Sequence, residues 1–295
     1  MASEPGLPPW QAAAVAGTGG KPDTARWVNL GGTPLNGTWR LVAEGRRFFV
    51  KTNTVARLPM LEAEADGLRE LARAGAIRVP APAACGGAGE VAFLALEWLD
   101  LSAGGRDAAL GTALAQLHRT TAKAYGWHRD NTIGTTPQDN AWTDDWTAFF
   151  RDRRIAPQLA LAARTGHGGR LQRDGEKLLA AIPALLAGHA PEASLLHGDL
   201  WSGNASRLAS GEPVIFDPAV YFGDREADLA MTELFGGFGA DFYAAYRATW
   251  PIDEGYSVRR MLYNVYHVLN HVNLFGGGYL AQAETMIGSL LAQAR

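Results

Sequence analysis

The run His197-Gly198-Asp199-Leu200-Trp201-Ser202-Gly203-Asn204, followed by Phe216-Asp217-Pro218, constrains this chain more than any other feature. It sets an Asp, an Asn five residues later and a second Asp thirteen residues beyond that, with strand-like apolar residues on either side. Transfer of a phosphoryl group asks a protein for few groups, and these are the types it asks for. A carboxylate at Asp199 would accept the proton of an attacking hydroxyl. An amide oxygen at Asn204 and a carboxylate at Asp217 would hold Mg2+, a hard cation that takes a few protein oxygens together with phosphate and water. The plain alternative is a polar turn whose side chains cap backbone groups. It accounts for any one of these residues more easily than for all of them in register.

The rest of the chain fits that chemistry. A length of 295 residues with 47% hydrophobic and 19% charged residues is enough to build a substantial core. The formal net charge of −3, with basic residues only in isolated pairs such as Arg46-Arg47, Arg153-Arg154 and Arg259-Arg260, gives no footprint for nucleic acid. One cysteine, Cys85, cannot form an intrachain disulfide, which points to a reducing cytoplasm. The N-terminus lacks the basic start and apolar stretch of a signal peptide, and no run approaches the about 20 apolar residues of a membrane span. A cytoplasmic monomer is expected.

Pattern changes along the sequence predict an α+β chain in two lobes, residues 1–99 and 100–295. The first 25 residues, rich in Pro, Gly and Ala, read as a loose lead-in with at most a helical turn over Gln11–Ala16. Strands are expected at Arg26–Leu30, Thr38–Ala43 and Arg46–Lys51, the last two joined by a tight turn at Glu44-Gly45. Pro59 opens a helix with Leu61, Ala65, Leu68 and Leu71 on one face, stopping at Gly75. Val79-Pro80-Ala81-Pro82 reads as an extended linker, and Glu90–Leu99 as a strand. From Gly104 on, helical spacing dominates, interrupted by a long polar loop, Ala124–Asn140, of the kind that is usually functional or disordered.

Lys51 ends the third strand, from which it can reach phosphate oxygens while its stem stays packed. Glu64, thirteen residues on, shares the apolar face of the next helix through Leu68 and is the preferred partner for Lys51. Glu62 is the competitor, pointing elsewhere on the helix. Gly31-Gly32-Thr33-Pro34-Leu35-Asn36-Gly37 lies where a phosphate-covering loop belongs, although Pro34 removes an amide donor. Glu97-Trp98-Leu99 would offer backbone groups to adenine. No Walker-type phosphate loop is present. His197 reads as a structural residue that aims Asp199, and with Trp201 it is also a candidate on the substrate side. Asp228 would either accept amide hydrogen bonds from the catalytic loop or serve the dipole of its own helix. His267 and His271, four apart, lack a third metal ligand nearby.

With those residues in place, the chain resembles the fructosamine kinase (ketosamine 3-kinase) family, within the aminoglycoside-phosphotransferase-like kinases, from about Val28 to the end. The likeness rests on Gly126-Trp127-His128-Arg129-Asp130-Asn131-Thr132-Ile133-Gly134, Pro137-Gln138-Asp139-Asn140, Trp146 with Phe149-Phe150-Arg151 and Arg153-Arg154, and Arg225-Glu226-Ala227-Asp228-Leu229-Ala230-Met231. Above all it rests on Trp201 within the catalytic run. It implies a protein-kinase-like fold, with a β-rich lobe that covers the nucleotide and a helical lobe that carries the acceptor site. The implied reaction is phosphorylation by ATP of the 3-hydroxyl of a ketosamine, the product then releasing its amine. Carried over, Asp199 is the base, Asn204 and Asp217 the Mg2+ ligands, Lys51 and Glu64 an ion pair, Gly31 and Gly32 part of the phosphate cover, and Glu97 to Leu99 the adenine hinge. Trp201 would flank the sugar. The 124–140 loop would cover the substrate. Asp224 stands where His is more usual. The rival is a kinase for another small hydroxyl compound, such as an aminoglycoside or a choline-like substrate. Asp139, Asp144, Asp145 and Asp152 would then supply acids for a polycation.

Overall fold

Leu41, Ala43, Phe48 and Val50 alternate with more exposed residues along two neighbouring strands, the period of a sheet with one covered face. The structure is a computed structural model describing residues 7–294. It opens with helix α1 (Pro9–Gly17) and a five-stranded antiparallel sheet in the order β1-β2-β3-β5-β4. The strands are β1 (Arg26–Thr33), β2 (Asn36–Ala43), β3 (Arg46–Thr54), β4 (Pro82–Ala88) and β5 (Val91–Glu97), with helix α2 (Leu58–Ala74) between β3 and β4. The Glu44-Gly45 turn has φ of +49° and +72°, the left-handed pair that matches the twist of a two-residue hairpin.

Strand β5 is an almost unbroken apolar run because both of its faces are covered. Phe93 and Ala95 pack with Trp10, Ala14 and Val15 of α1, while Ala92, Leu94 and Leu96 pack with Leu61, Leu68 and Leu71 of α2. Two expectations are corrected here. Residues 1–6 of the lead-in lie outside the described residues, but Pro9–Gly17 is an ordered helix, held by Trp10 against Trp27 and Trp39 with ring centroids 5.1 and 5.3 Å apart. The supposed linker continues into β4, so Cys85 lies in a strand, paired opposite Leu94. Pro-Ala-Ala-Cys-Gly-Gly-Ala has little strand preference of its own, and pairing with β5 and the weight of α1 override it.

After β6 (Leu101–Ser102) the chain becomes mainly helical: α3 (Ala108–His118), β7 (Thr121–Ala122), and the short hairpin of β8 (Asn131–Ile133) and β9 (Thr136–Gln138). Helix α4 (Trp146–Phe150) runs through a π-helical turn at Arg151–Ile155 into α5 (Ala156–Arg164), and α6 (Arg170–Leu185) follows. Next come β10 (Ala193–Leu196), β11 (Ala205–Leu208), β12 (Pro213–Ile215) and β13 (Tyr221–Gly223). The chain closes with α7 (Glu226–Leu234), α8 (Ala240–Thr249), α9 (Tyr256–Phe275) and α10 (Tyr279–Gln293). Helix α9 runs through the core, burying Leu262, Tyr263, Val265, Tyr266, Val268 and Leu269. Small sheets β13-β10-β7 and β12-β11-β6 frame the two loops that matter: β10–β11 carries Asp199 and Asn204, and β12–β13 carries Asp217. Among the described residues no helix is long and apolar enough to cross a membrane.

Candidate active site

A cavity of about 610 Å³ is lined by Gly31, Gly32, Lys51 and Glu64 on one side and by Asp199, Trp201, Asn204 and Asp217 on the other. The β8–β9 hairpin adds Asn131, Thr132 and Gly134. Residues as far apart in sequence as Gly31 and Ala219 are thus brought to one cleft. Beside it lies a second cavity of about 480 Å³, bounded by Leu30, Phe49, Leu96, Trp98, Leu99 and Phe216. Leu30 reaches this pocket because β1 carries an extra residue there: Asn29 pairs with Trp39 and Gly31 with Thr38, a bulge that turns Leu30 out of the ladder.

On the sheet side of the cleft, the Lys51 Nζ donates to Glu64 at 2.7 Å and to Asp217 at 2.6 Å. Burial works to lower the lysine's pKa, but the two carboxylates outweigh it and hold the ammonium above its usual range. Glu62 does not meet Lys51; its carboxylate lies 3.8 Å from the Arg129 guanidinium. Asp217 has φ of +59°, in the left-handed region that Asp enters more readily than most residues. That backbone turn points the carboxylate back toward Lys51, away from the line of the chain.

The loop after β10 is fixed from below. Gly198 has φ of +83°, and a Cβ there would come within 2.1 Å of the Ala219 carbonyl oxygen, so only glycine fits. The His197 ring is buried. Its Nε2 lies 2.9 Å from the Phe216 carbonyl and its Nδ1 accepts the Asp199 amide at 3.2 Å, which places the proton on Nε2. Burial pulls its pKa down, so the ring stays neutral and structural. Asp228, on α7, accepts the amides of His197 and Gly198 at 2.7 and 2.8 Å, with His118 Nε2 at 3.2 Å. Of its two sequence readings, acceptor of catalytic-loop amides is the one realised.

Asp199 is left almost unmet. Among the described residues its carboxylate meets only the Asn204 Nδ2, at 3.5 Å. Burial first, and then the charges of Asp217 and Asp228, push its pKa up to about 7, with the Asn204 amide opposing. A carboxyl poised near neutrality is suited to take a hydroxyl proton. Asn204 directs its amide nitrogen to the Asp199 carbonyl oxygen at 2.9 Å, and its Oδ1 accepts no hydrogen bond among the described residues. That oxygen together with the Asp217 carboxylate is a donor pair that fits Mg2+. Trp201 stands at the cleft mouth, 41% exposed, with its indole laid over Gly203, where a Cβ would come within 2.2 Å of the ring.

Other sequence candidates fall differently. Glu97 turns its carboxylate to Arg78 and the Ala81 amide, so only its backbone faces the pocket with Trp98 and Leu99. His271 Nδ1 lies against the His267 carbonyl oxygen at 2.8 Å, a contact within the helix and not a metal site. Of the four acids invoked for a polycation, three are already engaged, Asp139 with Arg153, Asp145 capping α4 and Asp152 with Arg151, while Asp144 is exposed. Asp224 belongs to a buried set, bonded to His189 at 2.6 Å and Tyr263 at 2.5 Å beside Glu226, which Arg259 grips with two hydrogen bonds.

Sequence reasoning missed the support of the 124–140 loop. Arg154, fully buried, donates to Asn140 Oδ1 at 2.6 Å and to the Asp139 carbonyl at 2.8 Å, and lies 4.1 Å from the Tyr221 ring centroid. Asn140 and Gln138 both donate to Asn131 Oδ1 at 2.9 Å, and Asn131 donates to the Val220 carbonyl at 2.7 Å. The one signal available was the density of side-chain amides in an otherwise loop-like stretch.

A β-rich lobe and a helical lobe meeting at this arrangement of Lys, Glu, Asp, Asn and Asp define an ATP-dependent phosphotransferase. Aminoglycoside phosphotransferase APH(4)-Ia shares the fold, with a TM-score of 0.61 over 92% of this chain and 95% of that one at 16% identity. The chain belongs to the fructosamine kinase family, whose profile matches residues 11–293. A probable ketoamine kinase of Synechocystis is 45% identical over 289 residues, 96% of this chain and 97% of that protein. The chloroplastic protein-ribulosamine 3-kinase of Oryza sativa subsp. japonica is 40% identical over 89% of this chain and 78% of its own. A crystal structure of a candidate fructosamine-3-kinase from Thermobifida fusca superposes with a TM-score of 0.82 at 32% identity, covering 95% and 98% of the two chains.

Proposed function

We propose that this protein transfers the γ-phosphoryl group of Mg2+-ATP to the 3-hydroxyl of a ketosamine, a sugar joined to a lysine amine by glycation. The 3-phosphoketosamine formed is unstable and releases the amine, so the activity repairs glycated lysine. The observation that carries this reading is Asp199, poised near neutral pH by its burial between two other carboxylates, at the floor of a cleft with a lysine at one end and an exposed tryptophan at the other. Family membership supplies the acceptor class.

Residues 1–99 serve as the nucleotide-covering lobe and 100–295 as the lobe that holds the acceptor. The adenine sits in the apolar cavity against the backbone of Glu97 to Leu99, beneath Leu30. Gly31 and Gly32 face the phosphates. Lys51, held by Glu64, binds phosphate oxygens. Mg2+, when bound by Asn204 and Asp217, neutralises charge on the phosphates. Asp199 takes the proton of the 3-hydroxyl as that oxygen forms its bond to the γ-phosphorus, the bond from phosphorus to the bridging oxygen breaks, and ADP departs. The Trp201 indole gives the sugar an apolar wall, and His197 acts only by aiming Asp199. All of these groups come from one chain, which fits a monomer. Burial pushes the Cys85 thiol up to about 11, an inert state that suits a reducing cytoplasm.

The deciding assay measures ADP release with Mg2+-ATP and ribulosyl-lysine or fructosyl-lysine, alongside Asp199→Ala. Turnover that the variant loses supports the reading. ATP binding without turnover on either ketosamine overturns it in favour of another hydroxyl acceptor.

A further inference from the structure

Glu62, Glu64 and Asp66 lie on the same helix yet serve two walls of the cleft. Glu64 turns to Lys51. Asp66 and Glu62 turn to Arg129, which belongs to the helical lobe: Nη1 donates to Asp66 Oδ2 at 2.5 Å, and Nη2 lies 3.8 Å from Glu62 and 3.5 Å from the Pro59 carbonyl. Arg129 is not free to follow α2, because its own carbonyl accepts the Asn140 Nδ2 at 3.1 Å. Asn140 is in turn fixed by the buried guanidinium of Arg154 and by Asn131. Gln138, bonded to Asn131, is held from the other side by the Tyr266 hydroxyl at 2.6 Å. The next residues, Asn131, Thr132 and Gly134, form the acceptor-side wall of the cavity, which Arg129 itself does not line.

The adjacent face of α2 also packs closely. A Cβ on Gly67 would stand 3.1 Å from Val220 Cγ2, and Val220 is the residue whose carbonyl takes the Asn131 amide. The helix that carries Glu64 is therefore held at two places next to the acceptor hairpin, an ionic one through Arg129 at its entry and a steric one through Gly67 against Val220, whose carbonyl anchors Asn131.

We propose that Arg129 is a positioning residue that latches α2 to the β8–β9 hairpin and thereby couples the acceptor site to the Lys51–Glu64 pair. The proposal rests on the phosphotransferase reading of the cleft. Its physical basis is the choice open to Lys51, which has two carboxylate partners, Glu64 at 2.7 Å and Asp217 at 2.6 Å. Releasing α2 withdraws Glu64 and leaves the ammonium on Asp217, where it competes with Mg2+. Holding α2 keeps Lys51 divided between the two and ready for phosphate. Because the same latch joins the hairpin, acceptor binding and nucleotide binding are linked, and linkage acts equally in both directions.

The test measures the dissociation constant of Mg2+-AMP-PNP for the wild type, Arg129→Ala, Arg129→Lys, Asp66→Asn and the Arg129→Ala/Asp66→Asn double variant. Each is measured with and without saturating fructosyl-lysine, and each protein's thermal midpoint is recorded. Arg129→Ala should weaken nucleotide binding about fivefold or more although the residue touches no nucleotide, and should raise the Mg2+ concentration needed. Asp66→Asn should do part of the same, the double variant should add nothing to Arg129→Ala, and Arg129→Lys should recover part of the loss. In the wild type fructosyl-lysine should tighten AMP-PNP binding, and in Arg129→Ala that effect should vanish. Unchanged nucleotide affinity in a folded Arg129→Ala variant, or effects of Arg129 and Asp66 that simply add, would overturn the latch. Failure of fructosyl-lysine to bind the wild type at all would instead count against the ketosamine reading, and the nucleotide measurements would still decide the latch.

Discussion

Asp199 and Asp228 lie in adjacent layers of one structure and show opposite treatment of the same side chain. Asp228, 1% exposed beneath the catalytic loop, accepts two backbone amides and meets His118. Burial alone would raise its pKa, but His118, His197 and the loop amides outweigh that and hold it below the usual carboxylate range. Asp199, at the cleft floor, has one long contact to Asn204 and a pKa pushed up to about 7. Satisfying a buried carboxylate makes it a structural anchor. Leaving one unsatisfied suits it to the role of base proposed for Asp199, and the unmade hydrogen bonds are a standing cost to the fold.

That contrast can be broken most directly at Asp199. Asp199→Asn should reduce turnover by about a thousandfold or more, measured as ADP release, since it removes the proton acceptor while keeping the shape. The same change should raise the thermal midpoint by a few degrees at pH 8 in protein free of magnesium and nucleotide. The sign follows from the proton. The folded carboxyl titrates near 7 and the unfolded one near about 3.9, so the folded state binds more protons between those values and the wild type loses stability as pH rises through them. The stability gap between variant and wild type should therefore open from about pH 4 to 7 and stay constant above. A gap that does not change with pH would show that Asp199 is not a raised carboxyl.

Asp228→Asn should act the other way, lowering stability by about 3 kcal/mol, because an amide NH2 then faces backbone donors in a buried site. Turnover should fall with it, as the loop that aims Asp199 loosens. Here the folded pKa lies below the unfolded one, so the carboxylate's contribution is present above about pH 4 and is lost as pH falls through the folded value. Denaturant unfolding at pH 7 and pH 3 should show a large difference between variant and wild type at the first and a smaller one at the second. His118→Leu should give the smallest effect, about 1–2 kcal/mol, since it removes one of the three groups around Asp228 and leaves the amides in place.

The cleft floor was legible in the sequence because its chemistry is written locally. Asp199, Asn204 and Asp217 fall within nineteen consecutive residues, and Lys51 on β3 and Glu64 on α2 lie on consecutive elements, although β3 runs three residues past Lys51 to Thr54. The layer beneath was not. Arg154 looked like half of a surface basic pair, yet it is buried with its partners on a loop fifteen residues upstream and its rings on β13 and α9. His118 meets Asp228 across 110 residues with no pattern to announce it. Periodicity reports which face of an element is apolar and says nothing about which polar groups will find one another inside. Helix α1 and strand β4 were hidden for another reason: both are rich in Ala, Gly and Pro, with Trp10, Gln11, Val15 and Cys85 the exceptions, and each is held in shape by the sheet around it.

The hairpin of β1 and β2 stays paired up to Thr33 and Asn36, with only Pro34 and Leu35 at its tip. A glycine-rich cover held this way behaves as a lever and not as a flap. Its one irregularity is the bulge between Asn29 and Gly31, where the Asn29 side chain accepts the Gly31 amide at 2.7 Å. The arm from there to the tip spans four residues, roughly 13 Å at about 3.3 Å per residue, so a tilt of about 10° at the bulge sweeps the tip by about 2 Å. Leu30 is the extra residue at that fulcrum and also the lid of the apolar pocket. With the nucleotide bound as proposed, base and phosphates would meet two ends of a single arm.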